Sequence, residues 1–373
     1  MKIYQCIHKY PPHIPLFEAK NKINDKTNIT FDELRKLIIE DGYASTYILQ
    51  PALEGNDDEV FFTIWNYERL QFLWAKEHGI ESRDLSVIKK AQIDWFKPDV
   101  FYNHSAFCDN DFIKKNNIDE NIIKVCWYGI IGPKPELFKD YDIRVSLHRP
   151  YIPIWRNKGL VAYELQGAFV KQWNTYNEQN KNTDLLFYGQ CSFRFFNNRT
   201  KLLDSLLNHS SSFDLAFHLS LKGHREPIVD IPLIRNRFFK KSPYTNLLSK
   251  SLPPLYGSSL YSAIGKTRFT LNGYTDFNTE FKSNMRLFES LGCGSLLLSE
   301  QGIYPEGFED GKNYISYKDY HDLVQKLPLL LENYETIRKD MEPNINKLKR
   351  KYSKENQWQS FQNIITEFIR GNN

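Results

Sequence analysis

The sequence has few cysteines, and their spacing indicates no shared site. The five residues are odd in number and form no Cys-x-x-Cys motif; they are Cys6, Cys108, Cys126, Cys191 and Cys293. This pattern argues against a disulfide framework and against a zinc knuckle. It favours a reducing, cytoplasmic location.

The sequence also lacks long apolar runs. No stretch approaches the ~20 consecutive apolar residues that a membrane-spanning helix needs. The first residues, Met-Lys-Ile-Tyr-Gln-Cys-Ile, lack the apolar core of a signal peptide. We therefore expect a soluble or peripheral protein.

Neither sign of charge dominates. The chain carries 49 basic and 45 acidic residues, a formal net charge of +4, which is not the footprint of a nucleic-acid binder. Hydrophobic residues make up 41% of the sequence, enough for packed cores. A length of 373 residues fits two domains of moderate size.

Strand and helix patterns alternate along the chain. Helical patterns fall over 30–41, 66–78, 85–96, 197–207 and 334–370. Another helix begins near residue 284, and part of 317–333 is helical. Strand patterns fall over 3–7, 45–49, 60–65, 99–102, 123–127, 143–147, 184–188, 214–219, 267–271 and 295–299. The segment 11–15 reads as a loop, and the polar stretch 172–183 reads as a linker. The alternation predicts an α/β fold with two doubly wound, Rossmann-like domains that face a cleft. The expected domains are 1–172 and 184–345, with a helix at 346–373 that packs back on the first.

The most informative segment is 284–298, Asn-Met-Arg-Leu-Phe-Glu-Ser-Leu-Gly-Cys-Gly-Ser-Leu-Leu-Leu. It predicts a loop, a short helix, a glycine turn and a buried strand. Free N–H groups at the helix start favour phosphate oxygens, and Arg286 can add a charged contact. Glu289 shares a face with Arg286 and can accept hydrogen bonds from ribose hydroxyls. An ordinary i,i+3 ion pair, with Gly292 as a helix C-cap, explains the same spacing.

The run from Asn284 to Ser299, with Phe-Glu-Asp-Gly-Lys-Asn at 308–313 and Tyr-Lys-Asp at 317–319, resembles a known family. It is similar to the C-terminal domain of group-1 glycosyltransferases with the GT-B fold. The run Asn-x-Arg-x-Phe-Glu-x-x-x-x-Gly resembles their spore-maturation and surface-polysaccharide subgroup. The likeness covers roughly residues 256–320.

The resemblance implies roles for particular residues. The ribose-binding glutamate of the family falls on Glu289, and the diphosphate contacts fall near Arg286 and the loop before it. Its glycine-rich turn after the first strand of the domain falls on Tyr188-Gly189, with Arg194 or Arg199 as the basic partner.

The resemblance has one departure. Many retaining members carry two glutamates eight positions apart, but the position eight before Glu289 is Phe281, and Glu280 is displaced by one. Asp276 or Glu280 is a candidate substitute for the first glutamate.

Further candidates follow from position. Arg194, Arg199 and Lys222 can offset the charge of a leaving diphosphate, or they are surface charges. Tyr256 and Tyr261 can line the nucleotide pocket or pack in the core, and Asn284 starts the helix of the motif.

His104 follows a predicted strand of the first half. At the carboxyl end of a strand it can orient or deprotonate an acceptor hydroxyl, or it is a structural histidine. Asp140 and Asp142 form an Asp-x-Asp pair, but its surroundings do not support a metal site.

The sequence and the resemblance together predict a metal-independent glycosyltransferase. It would use no cofactor, and it would move a sugar from a nucleotide-sugar donor to a glycan or lipid-linked acceptor, with a retaining outcome. A sugar-nucleotide epimerase, a phosphorylase and a non-catalytic nucleotide-binding module are the alternatives. The basic run at 347–351 predicts either peripheral contact with the inner face of a membrane or a solvated helix face.

Overall fold

Two compact units make up the chain. The computed structural model describes residues 1–106, 109, 111–129, 132–177, 180–191, 197–209, 212–220, 231–239, 242–274 and 280–371. Unit 1 comprises Met1–Ala168 and Tyr352–Asn373, and unit 2 comprises Phe169–Lys351. The domain limits expected from the sequence stay predictions.

Unit 1 is built on a six-stranded sheet in which every pair of neighbours is parallel. The strand order is β2-β1-β3-β4-β5-β6. The strands are β1 Ile3–Ile7, β2 Val60–Ile64, β3 Val100–Asn103, β4 Ile123–Trp127, β5 Ile143–Ser146 and β6 Ala162–Glu164. Strands β1–β3 and β5 are buried throughout, as expected for a parallel sheet that is covered on both faces.

The helices of unit 1 surround this sheet. They are α1 His13–Lys20, α2 Phe31–Asp41, α3 Gln50–Leu53, α4 Glu68–Glu77, α5 Leu85–Phe96, α6 Phe112–Lys115, α7 Tyr151–Arg156 and, at the end of the chain, α15 Lys354–Gly371. A capping box starts α2, because the Thr30 hydroxyl accepts from the N–H of Glu33 and the Glu33 carboxylate accepts from the N–H of Thr30. Phe361 of α15 is fully buried in the core of this unit.

Unit 2 is built on a five-stranded parallel sheet in the order β11-β10-β9-β7-β8. The strands are β7 Thr183–Gln190, β8 Leu215–Ser220, β9 Thr267–Asn272, β10 Leu296–Glu300 and β11 Ile315–Tyr317. The helices are α8 Asn197–Leu207, α9 Pro232–Phe238, α10 Pro243–Lys250, α11 Gly257–Gly265, α12 Met285–Gly292, α13 Tyr320–Glu332 and α14 Tyr334–Lys351. Two parallel sheets flanked by helices confirm the predicted α/β class with two Rossmann-like domains.

The predicted strand at 45–49 is wrong. The segment forms turns that lead into α3, although Thr46 and Ile48 are fully buried. Side chains satisfy its carbonyl groups in place of a neighbouring strand. Lys354 donates to the Ile48 carbonyl at 2.7 Å, and Gln357 donates to the Thr46 carbonyl at 3.0 Å. A distant helix thus determines this local structure.

Two predicted loops contain helix. Residues 11–15 were expected to form a loop, but α1 begins at His13. The polar stretch predicted as a linker begins with a 3-10 helix, Lys171–Tyr176, whose Trp173 is fully buried. This mostly polar stretch therefore contains one large buried apolar side chain, that of Trp173.

No helix in the described ranges is long and apolar enough to cross a membrane.

Candidate functional site

The candidate site lies at the carboxyl edge of the unit 2 sheet. Strands β7, β9 and β10 are parallel neighbours, so Gln190, Asn272 and Glu300 end at the same edge. Ligands bind at this edge in doubly wound sheets. The helix α12 follows β9 and contributes Arg286 and Glu289, as the sequence predicts.

Asn272 organises the polar side chains at this edge. Its Oδ1 accepts from Arg286 Nη1 at 2.7 Å and from Asn284 Nδ2 at 2.9 Å. Its amide donates to Ser299 Oγ at 3.0 Å and to the Tyr274 hydroxyl at 3.1 Å. Sequence reasoning missed Asn272, although its place as the last residue of a buried strand could have indicated it.

Arg286 is buried and does not pair with Glu289. It donates to Asn272 and to the backbone carbonyl of Tyr188, and its guanidinium lies 4.7 Å from the centre of the Tyr188 ring. Its Nε is buried without a hydrogen-bond partner among the described residues. No oxygen of Glu289 lies within 4.0 Å of it, so the simple i,i+3 ion pair is not what the structure contains.

Glu289 is 2% exposed and accepts a hydrogen bond from the Tyr188 hydroxyl at 2.7 Å. Burial raises the pKa of Glu289, while the Tyr188 hydrogen bond and the charge of Arg286 act in the opposite direction. Tyr188 therefore connects the two functional side chains, since its carbonyl holds Arg286 and its hydroxyl holds Glu289. The family resemblance places Tyr188 at the glycine-rich turn, but neither of these contacts could be predicted from it.

Gly189 makes room for the arginine. Its φ is +144°, and a Cβ added there would lie 3.0 Å from Arg286 Nη2. The sequence predicts a turn at Gly189, but β7 extends to Gln190, so Gly189 still belongs to the strand. A side chain at position 189 would displace the guanidinium.

Arg199 lies in the first turn of α8 and is also buried. It donates to the Gly273 carbonyl through Nε at 3.1 Å and Nη2 at 2.8 Å, and to the Gln190 carbonyl through Nη1 at 2.9 Å. Burial, and then the charge of Arg286, lower its pKa to about 10, so it stays cationic at neutral pH. Two guanidinium groups therefore make this edge electropositive.

The start of α12 can receive an anion. Asn284 precedes the helix in an extended conformation and its side chain caps no backbone N–H, because its amide donates to Asn272 instead. The Oδ1 of Asn284 is buried without a partner among the described residues. Uncapped N–H groups at a helix start favour phosphate oxygens.

A charged pair, Lys282 and Glu300, adjoins the site, and it was not predicted from the sequence. Glu300 accepts from the N–H of Tyr274 at 3.0 Å, and Lys282 Nζ lies 3.3 Å from its other carboxylate oxygen. Lys282 also lies 4.8 Å from the centre of the Tyr274 ring. This pair fixes the start of the loop that follows β9.

The other predicted residues are distributed differently. Tyr261 is buried, and its ring centre lies 5.3 Å from that of Trp173, which is core packing. Tyr256 is half-buried at the start of α11, and Glu280 is exposed. Arg194, Lys222 and Asp276 lie outside the described residues. The donor-binding and catalytic roles of all these residues stay predictions.

His104 lies at the carboxyl end of β3 in unit 1. Its ring stacks on Trp127 with centres 5.4 Å apart and touches Tyr47 and Tyr102. Burial, with a smaller contribution from Lys354, lowers its pKa to about 3. The ring is therefore neutral at physiological pH and is a weak base there.

The Asp-x-Asp pair has a structural contact. Asp142 accepts from the N–H of Lys124 at 2.7 Å. Across the described ranges, no group of three His, Cys, Asp or Glu residues is placed to hold a metal ion.

Known proteins resemble this chain in sequence pattern and in fold. Residues 215–363 match the family model described as glycosyl transferase-like. No curated protein sequence matches the chain. The sequence match thus covers the region that contains Arg286 and Glu289.

Solved structures resemble the whole chain. HepE of Anabaena, solved with UDP, has a TM-score of 0.56 at 10% identity, over 98% of this chain and 100% of that one. A glycosyltransferase of Rickettsia africae has a TM-score of 0.54 at 10% identity, over 99% of this chain and 98% of that one. TarM of S. aureus has a TM-score of 0.51 at 12% identity, over 75% of this chain and 58% of that one. The fold is therefore the GT-B fold.

Proposed function

We propose that this GT-B chain, whose residues 215–363 carry the glycosyl transferase-like pattern, is a glycosyltransferase that uses a nucleotide-sugar donor. The acceptor is a glycan or a lipid-linked glycan of a surface polysaccharide. HepE has been solved with UDP and with UDP-glucose, which supports a nucleotide-sugar donor here. The arrangement of Arg286, Tyr188 and Glu289 is the observation that carries the proposal.

The donor's nucleotide has complementary groups at this edge. Glu289 supplies a carboxylate that can accept from two ribose hydroxyls, and Tyr188 fixes its orientation. Arg286 and the uncapped start of α12 face the diphosphate. Because Arg286 Nε has no partner within the described residues, it has a donor left for a phosphate oxygen.

Transfer requires stabilisation of the negative charge that develops on the leaving diphosphate. The buried guanidinium groups of Arg286 and Arg199 supply positive charge from fixed positions, so little reorganisation is needed during the reaction. We propose that these groups act in place of a divalent metal and that no cofactor takes part. The retaining outcome is part of the proposal, with Glu280 or Asp276 as the residue nearest the donor sugar.

His104 is the proposed contact to the acceptor. With a pKa of about 3 it cannot hold a useful proton at neutral pH, so we propose that it orients an acceptor hydroxyl by hydrogen bonding. Its Nε2 is buried without a partner within the described residues and is therefore available for this bond.

A thermal-shift panel with UDP, GDP, CMP and ADP, with and without EDTA, tests the donor proposal. We expect one nucleotide to raise the melting temperature, with no change on adding EDTA. Glu289→Ala should abolish that shift and sugar transfer together, because the ribose contact is lost. Stabilisation that EDTA removes would contradict the metal-free mechanism, and full turnover in Glu289→Ala would contradict the ribose role. Conversion of the donor to an epimer without an acceptor would identify an epimerase instead.

A further inference from the structure

One segment of the chain contains no acidic residue and therefore has a net positive charge. Residues 231–275 contain no Asp or Glu but seven basic residues, which are Arg235, Arg237, Lys240, Lys241, Lys250, Lys266 and Arg268. The whole chain has a formal net charge of only +4, so the remainder has a slight excess of acidic residues. Arg268 pairs with Asp184 at 2.7 Å, so the free positive charge of the segment has to be sought on its other basic residues.

Helix α9, Pro232–Phe238, lies at the start of this segment and exposes its apolar side chains. Leu233 is 83% exposed and Phe238 is 69% exposed, the two highest values for large apolar side chains in the described ranges. Ile231, just before the helix, is 45% exposed. Single exposed apolar residues are common, but three within eight positions, two of them more than two-thirds exposed, are unusual on a surface that faces only water.

The same helix carries unpaired positive charge. Arg235 and Arg237 form no ion pair with a carboxylate in the part of the chain that the structure describes. The Arg237 guanidinium lies 5.6 Å from the centre of the Phe238 ring, so cationic and apolar groups are side by side. Lys240 and Lys241 follow the helix directly in the sequence.

We propose that α9 binds the surface of an anionic lipid bilayer. Leu233 and Phe238 enter the boundary between headgroups and acyl chains, and Arg235 and Arg237 contact the lipid phosphates. Exposed aromatic and aliphatic side chains beside arginines are the composition of helices that lie in this interface. A nucleic acid would satisfy the arginines but would leave Leu233 without a suitable contact, which favours lipid.

This surface differs from the basic run at 347–351 that the sequence indicated. In that run, Lys351 pairs with Glu306 at 2.6 Å, and Lys349 lies 3.5 Å from the Gly292 carbonyl with a pKa lowered by burial. These two lysines are engaged within unit 2, whereas the two arginines of α9 have no acidic partner within the described ranges.

Co-sedimentation of the full chain with vesicles tests the proposal. The vesicles contain phosphatidylcholine alone or phosphatidylcholine mixed with phosphatidylserine. We expect binding to the mixed vesicles only. Replacing Arg235 and Arg237 together by Gln should weaken it by roughly tenfold or more, at about 1 kcal/mol per charge. Leu233→Ser with Phe238→Ser should weaken it at least as much.

Leu329→Ser is the matched control, since Leu329 is 63% exposed on α13 and is not part of this surface. Its binding should equal that of the unchanged chain, and all variants should keep the same melting temperature. Absence of binding to mixed vesicles, or equal binding by the Leu233/Phe238 variant, would overturn the proposal. Self-association that this variant abolishes, without vesicle binding, would instead identify a contact between two copies. None of these results depends on transferase activity.

Discussion

Tyr188 is the residue on which the candidate site depends most, and the family resemblance places it at the glycine-rich turn without indicating its two contacts. Its carbonyl accepts from Arg286 and its hydroxyl donates to Glu289 at 2.7 Å. A buried carboxylate needs such a donor, because without one its charge is uncompensated. Glu289 could be predicted from its motif, but its partner lies 101 positions away and only the fold brings them together.

Tyr188→Phe should weaken donor binding roughly tenfold, since a hydrogen bond to a charged group is worth about 1.5–3 kcal/mol. The effect should appear in KM for the donor more than in kcat. Donor binding is expected to need ionised Glu289, so affinity falls as the pH drops through the pKa of this carboxyl. Loss of the hydroxyl removes a contact that lowers this pKa, so the fall should begin at a higher pH in the variant.

Donor titrations by calorimetry across a pH series measure both effects. Tyr317→Phe is the control, because its buried hydroxyl donates to the Asn272 carbonyl at 3.1 Å and not to Glu289. The facing groups are Arg286 on the same helix, Tyr188 on β7, and Cys293, whose own pKa is raised by burial. An unchanged pH profile in Tyr188→Phe would mean that this tyrosine does not position Glu289.

At the scale of elements, most strands and helices could be predicted, and the exceptions share a cause. The limits of β1, α5, β4 and α8 agree with their apolar periodicity and their flanking residues. The strand predicted at 45–49 failed because side chains of α15 satisfy its backbone, and no local pattern encodes that contact. The stretch after residue 171 was predicted as a linker because its single apolar anchor, Trp173, is surrounded by polar residues.

The two glycines at the end of α12, Gly292 and Gly294, are needed for close packing rather than for helix capping. The alternative interpretation makes Gly292 the C-cap of the helix, but Gly292 lies within α12 and Cys293 is the cap. A Cβ on Gly292 would lie 2.3 Å from the Trp173 ring, and a Cβ on Gly294 would lie 1.8 Å from Asn177 Oδ1. These glycines therefore allow the 3-10 helix Lys171–Tyr176 and the residue after it to approach α12 and its turn closely.

Gly292→Ala should destabilise unit 2 by about 1–3 kcal/mol, because the new methyl group overlaps the buried Trp173 ring. Hydrogen exchange in β9 and β10 at increasing denaturant concentration measures the change, because Trp173 is the only tryptophan in the sequence of unit 2 and is itself replaced in the double variant. Adding Trp173→Leu to Gly292→Ala should cost less than the sum of the two single changes, since the smaller side chain makes room. Gly273→Ala in the same unit, where the nearest atoms to the added Cβ lie at an ordinary contact distance of 3.7–3.8 Å, controls for the loss of glycine itself. Strict additivity would contradict the close approach.

At the scale of the whole molecule, the chain forms two separate apolar cores, and its final helix belongs to the first of them. One core belongs to unit 1 and includes Phe361 of the final helix, and the other belongs to unit 2 and includes Leu271 of β9. Unit 1 therefore cannot be completed until the last helix of the chain has been made. Its stability depends on residues at both ends of the sequence.

Phe361→Ala should lower the free energy of unfolding of unit 1 by about 3–5 kcal/mol and leave unit 2 nearly unchanged, because it empties space in one core only. Hydrogen exchange followed by peptide mass spectrometry distinguishes the two, since protection should fall in β1 and β3 but not in β9 and β10. Leu271→Ala should have the reverse effect, as the matched large-to-small change in the other core. Because Glu289 and Arg286 belong to unit 2, nucleotide binding should survive Phe361→Ala and be weakened by Leu271→Ala. Equal loss of protection in both units for either variant would show that the two cores unfold as one.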